Sequence, residues 1–437
     1  VRRRGSVALV ALLVTIMTAA GAGTAAADPL PVPPVPVPPA GLLGPPGPIP
    51  ALPLPGAPLP PDQDPFYRAP ADLDDAKPGD VLRSRQVAAL SLTALTGIRT
   101  YQLLYRSTDA SGGPIATVAT LLLPNAPAPG PRRLVSYHPA QDSLTTRCAP
   151  SYTLRTNSGS TQPLESGAIA GLLGRGWNVV VPDYQGPKSH FTVGRLEGRA
   201  ALDAVRAAER FGPGGLDGER TKVGMMGYSG GSIPTTWANA LAKDYAPEID
   251  LVGIAAGGVP ANLQDNLASI DGSAFFSAIL LASVGIDRAY PDLDLDSLLN
   301  DRGRALAAGL GRDAYGCAAG LTVAPYGRIS QYTRYRDAAD LLAEPRIAKA
   351  LDKLNLIEGP RFSAPSYLYH EINDEILIIK PVDELVAEQC RGGATVQYVR
   401  SPVGEHISGA GAYLGPGMQY LADRFAGRDA PSTCPVD

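Results

Sequence analysis

The sequence predicts an α/β fold on a mostly parallel sheet, and three observations carry that expectation. Short β-rich runs alternate with helical segments from about residue 70 onward. From residue 177 the strand candidates are near-continuous apolar runs, as strands covered by helices on both faces require. One interval, about 260–345, drops the strand pattern for apolar helical segments such as NLASIDGSAFFSAILLASVG, which suits an inserted helical cap or an ordinary helical subdomain.

The chain opens with Arg2, Arg3 and Arg4, then an apolar stretch from Val7 to Thr18, then Ala25, Ala26 and Ala27. That order reads as a secretory signal over 1–27, cleaved after Ala27. A transmembrane anchor is the alternative, but the apolar run is shorter than the roughly 18 residues a span requires. No later segment is apolar for long enough to span, so the sequence predicts a secreted, extracellular chain, either free or associated with the cell envelope.

Residues 28–65 are rich in proline, as in PLPVPPVPVPP. Such composition favours a disordered, extended spacer with no packed core. The remaining 66–437 form one catalytic domain in this reading, with the cap inside it.

Eight strand candidates follow: 98–105, 115–124, 132–139, 177–184, 221–227, 250–257, 365–371 and 395–400. Between them RAALDAVRAAERF places Ala201, Val205 and Ala208 on one apolar face. GGSIPTTWANALAKD carries Pro234 near its first turn, and PVDELVAEQC has Pro381 as a start signal.

Composition removes several function classes. The formal net charge is −4 and no basic run follows the first residues, so the footprint for nucleic acid is missing. The four histidines and four cysteines show no metal-ligand spacing, and neither a metal nor a cofactor is expected. In an exported chain Cys148, Cys317, Cys390 and Cys434 permit two disulfides in three pairings. No obligate protein partner is implied.

The stretch Gly227-Tyr228-Ser229-Gly230-Gly231 follows a buried-strand pattern and precedes a helix, the setting of a nucleophile elbow. A turn that tight needs residues without bulk around the serine. The competing reading is a Gly-rich phosphate cradle, but no P-loop lysine is present and Tyr228 would crowd a dinucleotide.

A serine nucleophile needs an acid and then a histidine, in that chain order, beyond later strands. His406 stands a few residues after the last strand; His370 falls inside the YLYHE strand pattern, and His138 and His190 precede the serine. Asp374 lies just beyond the seventh strand, with Glu371 and Asp383 as fallbacks. The backbone N–H of Gly230 is the expected first oxyanion donor, and the loop within 134–152 is the expected source of the second.

Together, Asp142-Ser143 with Ala149-Pro150-Ser151-Tyr152, Pro182-Asp183-Tyr184-Gln185-Gly186-Pro187, the Ser229 motif and Asn373-Asp374-Glu375 resemble the secretory lipases of the lipase A type. These are α/β-hydrolases, and the resemblance covers most of the chain from about residue 65. It implies Ser229, Asp374 and His406 as the triad, the N–H groups of Asp142 and Gly230 as the oxyanion hole, and 260–345 as the cap. It also implies disulfides pairing Cys148 with Cys317 and Cys390 with Cys434. The chain departs from the family pattern in having Glu371 where glycine is common, and in lacking a proline near Ile378.

The expected activity is hydrolysis of fatty-acid esters through an acyl-enzyme, with a lipid or ester substrate and contact with a lipid interface through the cap. A short-chain carboxylesterase or an acyltransferase would carry the same triad, and a non-catalytic binding protein could share the scaffold.

Overall fold

A computed structural model describes residues 57–92, 95, 97–158, 162–311, 317 and 324–435. The expected signal at 1–27 and most of the proline-rich spacer lie outside the described residues. Of the expected spacer, residues 57–65 are described. Asp64 is buried, accepts from the Phe66 N–H and pairs with Arg85 at 2.7 Å, whose guanidinium lies over the Phe66 ring.

The strands are β1 (Val81–Gln86), β2 (Arg99–Thr108), β3 (Pro114–Leu123), β4 (Arg133–His138), β5 (Asn178–Pro182), β6 (Lys222–Tyr228), β7 (Leu251–Gly257), β8 (Ser366–Glu371) and β9 (Val396–Ser401). Among the described residues they form one sheet in the order β1-β2-β3-β5-β4-β6-β7-β8-β9. β1, β2 and β3 pair antiparallel and β3 meets β5 antiparallel. All pairs from β5 through β4 to β9 are parallel. This is an α/β-hydrolase fold. Only β1 is absent from the sequence reading: VLRSRQ is polar and half-exposed, as an edge strand can be.

Alternation along the strands supplies two cores. Leu121, Val180, Met225 and Ile254 face α3 (Gly194–Arg210) and α4 (Ser232–Tyr245). Their neighbours Leu122, Val179, Met226 and Ala255 face α2 (Gln162–Gly174) and α13 (His406–Phe425) on the other side. α1 (Pro150–Thr156) and α12 (Ile379–Arg391) complete the layers.

Helix α3 fixes α4 by close approach. A Cβ on Gly194 would fall 2.0 Å from Trp237 Nε1, and one on Gly198 2.7 Å from the Trp237 carbonyl carbon. Small residues one turn apart therefore open the groove that seats Trp237, and with it the start of α4.

Between β7 and β8 the chain is helical: α5 (Leu263–Ile270), α6 (Ser277–Ala289), α7 (Leu295–Leu298), α8 (Asp301–Gly311), α9 (Ile329–Tyr332), α10 (Ala338–Leu342) and α11 (Pro345–Asp352). Phe276, Leu281, Leu298, Ile329 and Ile347 form its core and meet Leu144, Phe191 and Leu196 of the sheet body. Disulfides join Cys148 to Cys317 and Cys390 to Cys434. The first links the loop after β4 to the helical segment; the second ties the C-terminal tail to the end of α12. No helix among the described residues is long and apolar enough to cross a membrane.

Candidate active site

Ser229 follows β6 directly, with φ 53°, in the left-handed region that side chains disfavour. The flanking glycines make this turn sterically possible. A Cβ on Gly227 would come within 2.1 Å of the Gly231 carbonyl oxygen, and one on Gly231 within 1.9 Å of the His138 carbonyl oxygen. The strained serine is thus held between β6 and α4, with its side chain projecting from the sheet.

His406 begins α13, and its Nε2 lies 2.7 Å from Ser229 Oγ. Its Nδ1 lies 2.7 Å from Asp374 Oδ2. Asp374 is fixed in turn: Oδ1 accepts the N–H groups of Ile376 (3.0 Å) and Leu377 (2.7 Å). The three residues follow the ends of β6, β8 and β9, within four consecutive strands of the sheet.

Electrostatics singles out one histidine of the four. Burial pushes His138 down to about 3 and His190 down to about 4, so both are neutral. His138 is held by Ser136 and Thr235 hydroxyls. Burial also opposes the charged form of His406, but the hydrogen bond and charge of Asp374 outweigh it and raise its pKa above the usual value. Burial likewise opposes the Asp374 carboxylate, yet His406 and the Leu377 N–H hold it below the ordinary carboxylate range.

Residues of the expected site fall together, and others join them. His370, read from sequence as a strand residue, is buried with Nε2 3.4 Å from Asp374 Oδ2 and 2.6 Å from the Leu377 carbonyl oxygen. Glu371, a fallback for the acid, is buried at the end of β8. It turns inward, and its Oε2 is 3.0 Å from the Tyr228 hydroxyl. Asp383 stands apart, bound to Tyr398 and Arg400.

Asp142 lines the same cavity as Ser229 and Gly230. Its Oδ1 is so close to Gly230 that a Cβ there would lie 2.0 Å away. Burial raises its pKa, against the pull of His406. The loop that carries it is braced from three directions. The Tyr184 hydroxyl donates to the Pro139 carbonyl at 2.7 Å and accepts the Gln141 N–H at 3.1 Å. Glu165 accepts from the Ala140 N–H at 3.0 Å and from the Tyr137 hydroxyl. Asp183 accepts the Ser151 N–H (2.8 Å) and hydroxyl (2.5 Å) at the start of α1.

These contacts give the quoted Pro182–Pro187 and Ala149–Tyr152 stretches a physical role. Burial pushes both Glu165 and Asp183 up to about 7. Neither role was visible from spacing, because the partners are 25 to 32 residues apart and meet only across the sheet.

A cavity of about 290 Å³ begins at Ser229 and His406 and runs among apolar side chains of the helical segment, Leu281, Leu298 and Ile347 among them. The arrangement can activate a hydroxyl, hold a neutral base at hydrogen-bond distance and receive an apolar chain beside it. Among the described residues no cluster of potential metal ligands is found.

A family model described as secretory lipase matches residues 153–433. Lipase A of Moesziomyces aphidis is 32% identical over 392 residues, covering 86% of this chain and 82% of that one. The trichothecene C-3 esterase of Fusarium sporotrichioides is 32% identical over 393 residues, 84% of each. Among solved structures, Candida antarctica lipase A in its closed state matches with a TM-score of 0.79 at 30% identity, over 86% of this chain and 89% of that one.

Proposed function

The chain belongs to the secretory lipase family, and from that premise we propose how this secreted, extracellular carboxylic ester hydrolase does its chemistry and on what. Ser229 is the nucleophile, His406 its general base and Asp374 the group that orients the imidazole. The observation that carries the reading is the unbroken chain of two 2.7 Å contacts from Asp374 through His406 to Ser229.

His406 Nε2 takes the Ser229 proton as Oγ attacks the ester carbonyl. Asp374 stabilises the imidazolium without taking its proton. The developing oxyanion is received by the backbone N–H groups of Gly230 and Asp142, each such donor being worth roughly 3 kcal/mol. Imidazolium then protonates the leaving alcohol, and water, activated by the same base, releases the acid from the acyl-enzyme.

The acyl group is a fatty acid, of the triacylglycerol type. Each methylene buried in the apolar cavity contributes about 0.8 kcal/mol, which favours long chains over acetyl. Leu164 and Ile407 line that cavity and are also 42% and 59% exposed, a route by which a lipid surface could meet the site beside the helical cap.

Rates over p-nitrophenyl esters of increasing acyl length, with a triglyceride emulsion, test the substrate. Turnover confined to acetyl and butyryl esters would sink the fatty-acyl reading. Product analysis with added alcohol tests acyl transfer to an acceptor other than water. Ser229→Ala tests the site itself: purified mutant with unchanged ester hydrolysis removes the assignment, and a loss on the order of 10⁵-fold or more is expected.

A further inference from the structure

Beside His406 lies a partly buried hydrogen-bond arrangement that the mechanism above does not use. The Tyr228 hydroxyl is 2.8 Å from the main-chain carbonyl oxygen of His406 and 3.0 Å from Glu371 Oε2. The Tyr228 ring also packs on the His406 ring, with centroids 5.3 Å apart. A hydroxyl has one proton, and a carbonyl oxygen can only accept. If Glu371 were a carboxylate, two acceptors would compete for that proton and one short contact would be left unmade.

Both contacts are satisfied when Glu371 carries the second proton: its O–H donates to Tyr228, and Tyr228 donates to His406. The surroundings agree. Glu371 is fully buried, and its Oε1 lies against Gly409 of α13 without a hydrogen-bond partner among the described residues. An unpartnered oxygen is tolerable on a neutral acid and expensive on a carboxylate. Around it stand Tyr228 from β6, Asp374 from the loop beyond β8, Tyr369 on its own strand and His406 from α13. Arg400, on the neighbouring β9, turns instead to Asp383. Among the described residues no lysine or arginine pairs with Glu371. Burial raises its pKa against its own backbone N–H and the Tyr228 hydroxyl, with Asp374 adding to the rise and His406 opposing it.

We propose that Glu371 is a protonated carboxylic acid that, through Tyr228, fastens the main chain of His406, so that both side chains are positioning residues for the imidazole. Ionisation of Glu371 draws the Tyr228 proton to the carboxylate and lets go of the His406 carbonyl. Activity therefore falls at alkaline pH through a group that touches neither substrate nor serine. The inference rests on His406 as the base.

The test is the pH dependence of kcat/KM for wild type, E371Q and Y228F, together with NMR titration of the His406 imidazole. A glutamine can donate to Tyr228 but cannot ionise, so E371Q should lack the alkaline fall and leave the imidazole pKa unmoved. Y228F should lower kcat roughly fivefold with little change in KM, and lose the alkaline fall too. If instead the imidazole pKa drops in E371Q, a negative neighbour has been removed and Glu371 was charged. That result, or an alkaline fall that persists in either variant, overturns the proposal. Y228F keeps the test available if E371Q does not fold. Failure of the triad assignment is read separately, as hydrolysis surviving in Ser229→Ala, while the imidazole titration still reports the charge on Glu371.

Discussion

At Asp374 two demands meet on one carboxylate: Oδ2 receives the imidazole N–H and Oδ1 two backbone N–H groups. Asp374→Asn keeps the size but presents an amide to His406, which favours the wrong imidazole tautomer. A fall in kcat on the order of 10³ to 10⁴ is expected, with KM changed far less, measurable on a soluble ester. The lowered pKa of Asp374 and the raised pKa of His406 have a joint consequence. With His406 as the proposed base, activity requires the neutral imidazole, so it rises as pH increases through a His406 pKa above the usual histidine value; an acid limb at or below 6.5 would contradict this.

At the level of elements, the seat of Ser229 depends on how α4 meets α3. Gly198→Ala puts a methyl where the Trp237 backbone already stands, so α4 must shift. Thermal or denaturant unfolding should show a loss of roughly 1 to 3 kcal/mol, since the clash is with backbone and not with a flexible side-chain end. Most strands were legible because their apolar runs are dictated by burial on both faces. α13 was not: Gly409, Gly411, Gly415, Pro416 and Gly417 argue against a helix, yet it runs from His406 to Phe425. Tertiary packing overrides propensity there, with Gly409 resting on Glu371 and Gly417 on Met226 and Tyr413. That Ser229, Asp374 and His406 fall together was readable for the same reason as the strands, since parallel strands bring the segments beyond their C-terminal ends to one edge of the sheet. The bracing of the Asp142 loop by Glu165 and Asp183, and the inward turn of Glu371, depend on which face each side chain takes, and no local pattern carries that.

Across the whole molecule, several buried carboxyls among the described residues have raised pKa values, and these bear on its response to acid. For Asp183, raised from 3.8 to about 7, and Glu165, raised from 4.5 to about 7, the folded state binds more protons than the unfolded chain between those limits. Stability contributed by their protonated forms is therefore present at the acid end and lost as pH rises through the folded values. Glu209, raised by burial to about 8, acts in the same direction. His138 and His190 oppose it, since each is neutral when folded and favours unfolding as pH falls below 6.5. The carboxyls dominate, so calorimetry should find a higher Tm near pH 5 than near pH 7.5. A Tm that climbs steadily toward neutrality would show that these carboxyls are ionised in the fold.

The pairing of Cys148 with Cys317 sits beside a second fastening, Arg288 on α6, whose guanidinium donates to the carbonyls of Leu144 (2.8 Å) and Lys188 (2.7 Å). Both bind the helical segment that lines the cavity to the loop that carries Asp142, the parts proposed above to receive the acyl chain and the oxyanion. Breeding a new acyl preference by exchanging that helical segment would thus disturb turnover as well as selectivity. In this scaffold, taste and speed are inherited together, and a graft succeeds only if it brings its own copies of both fastenings.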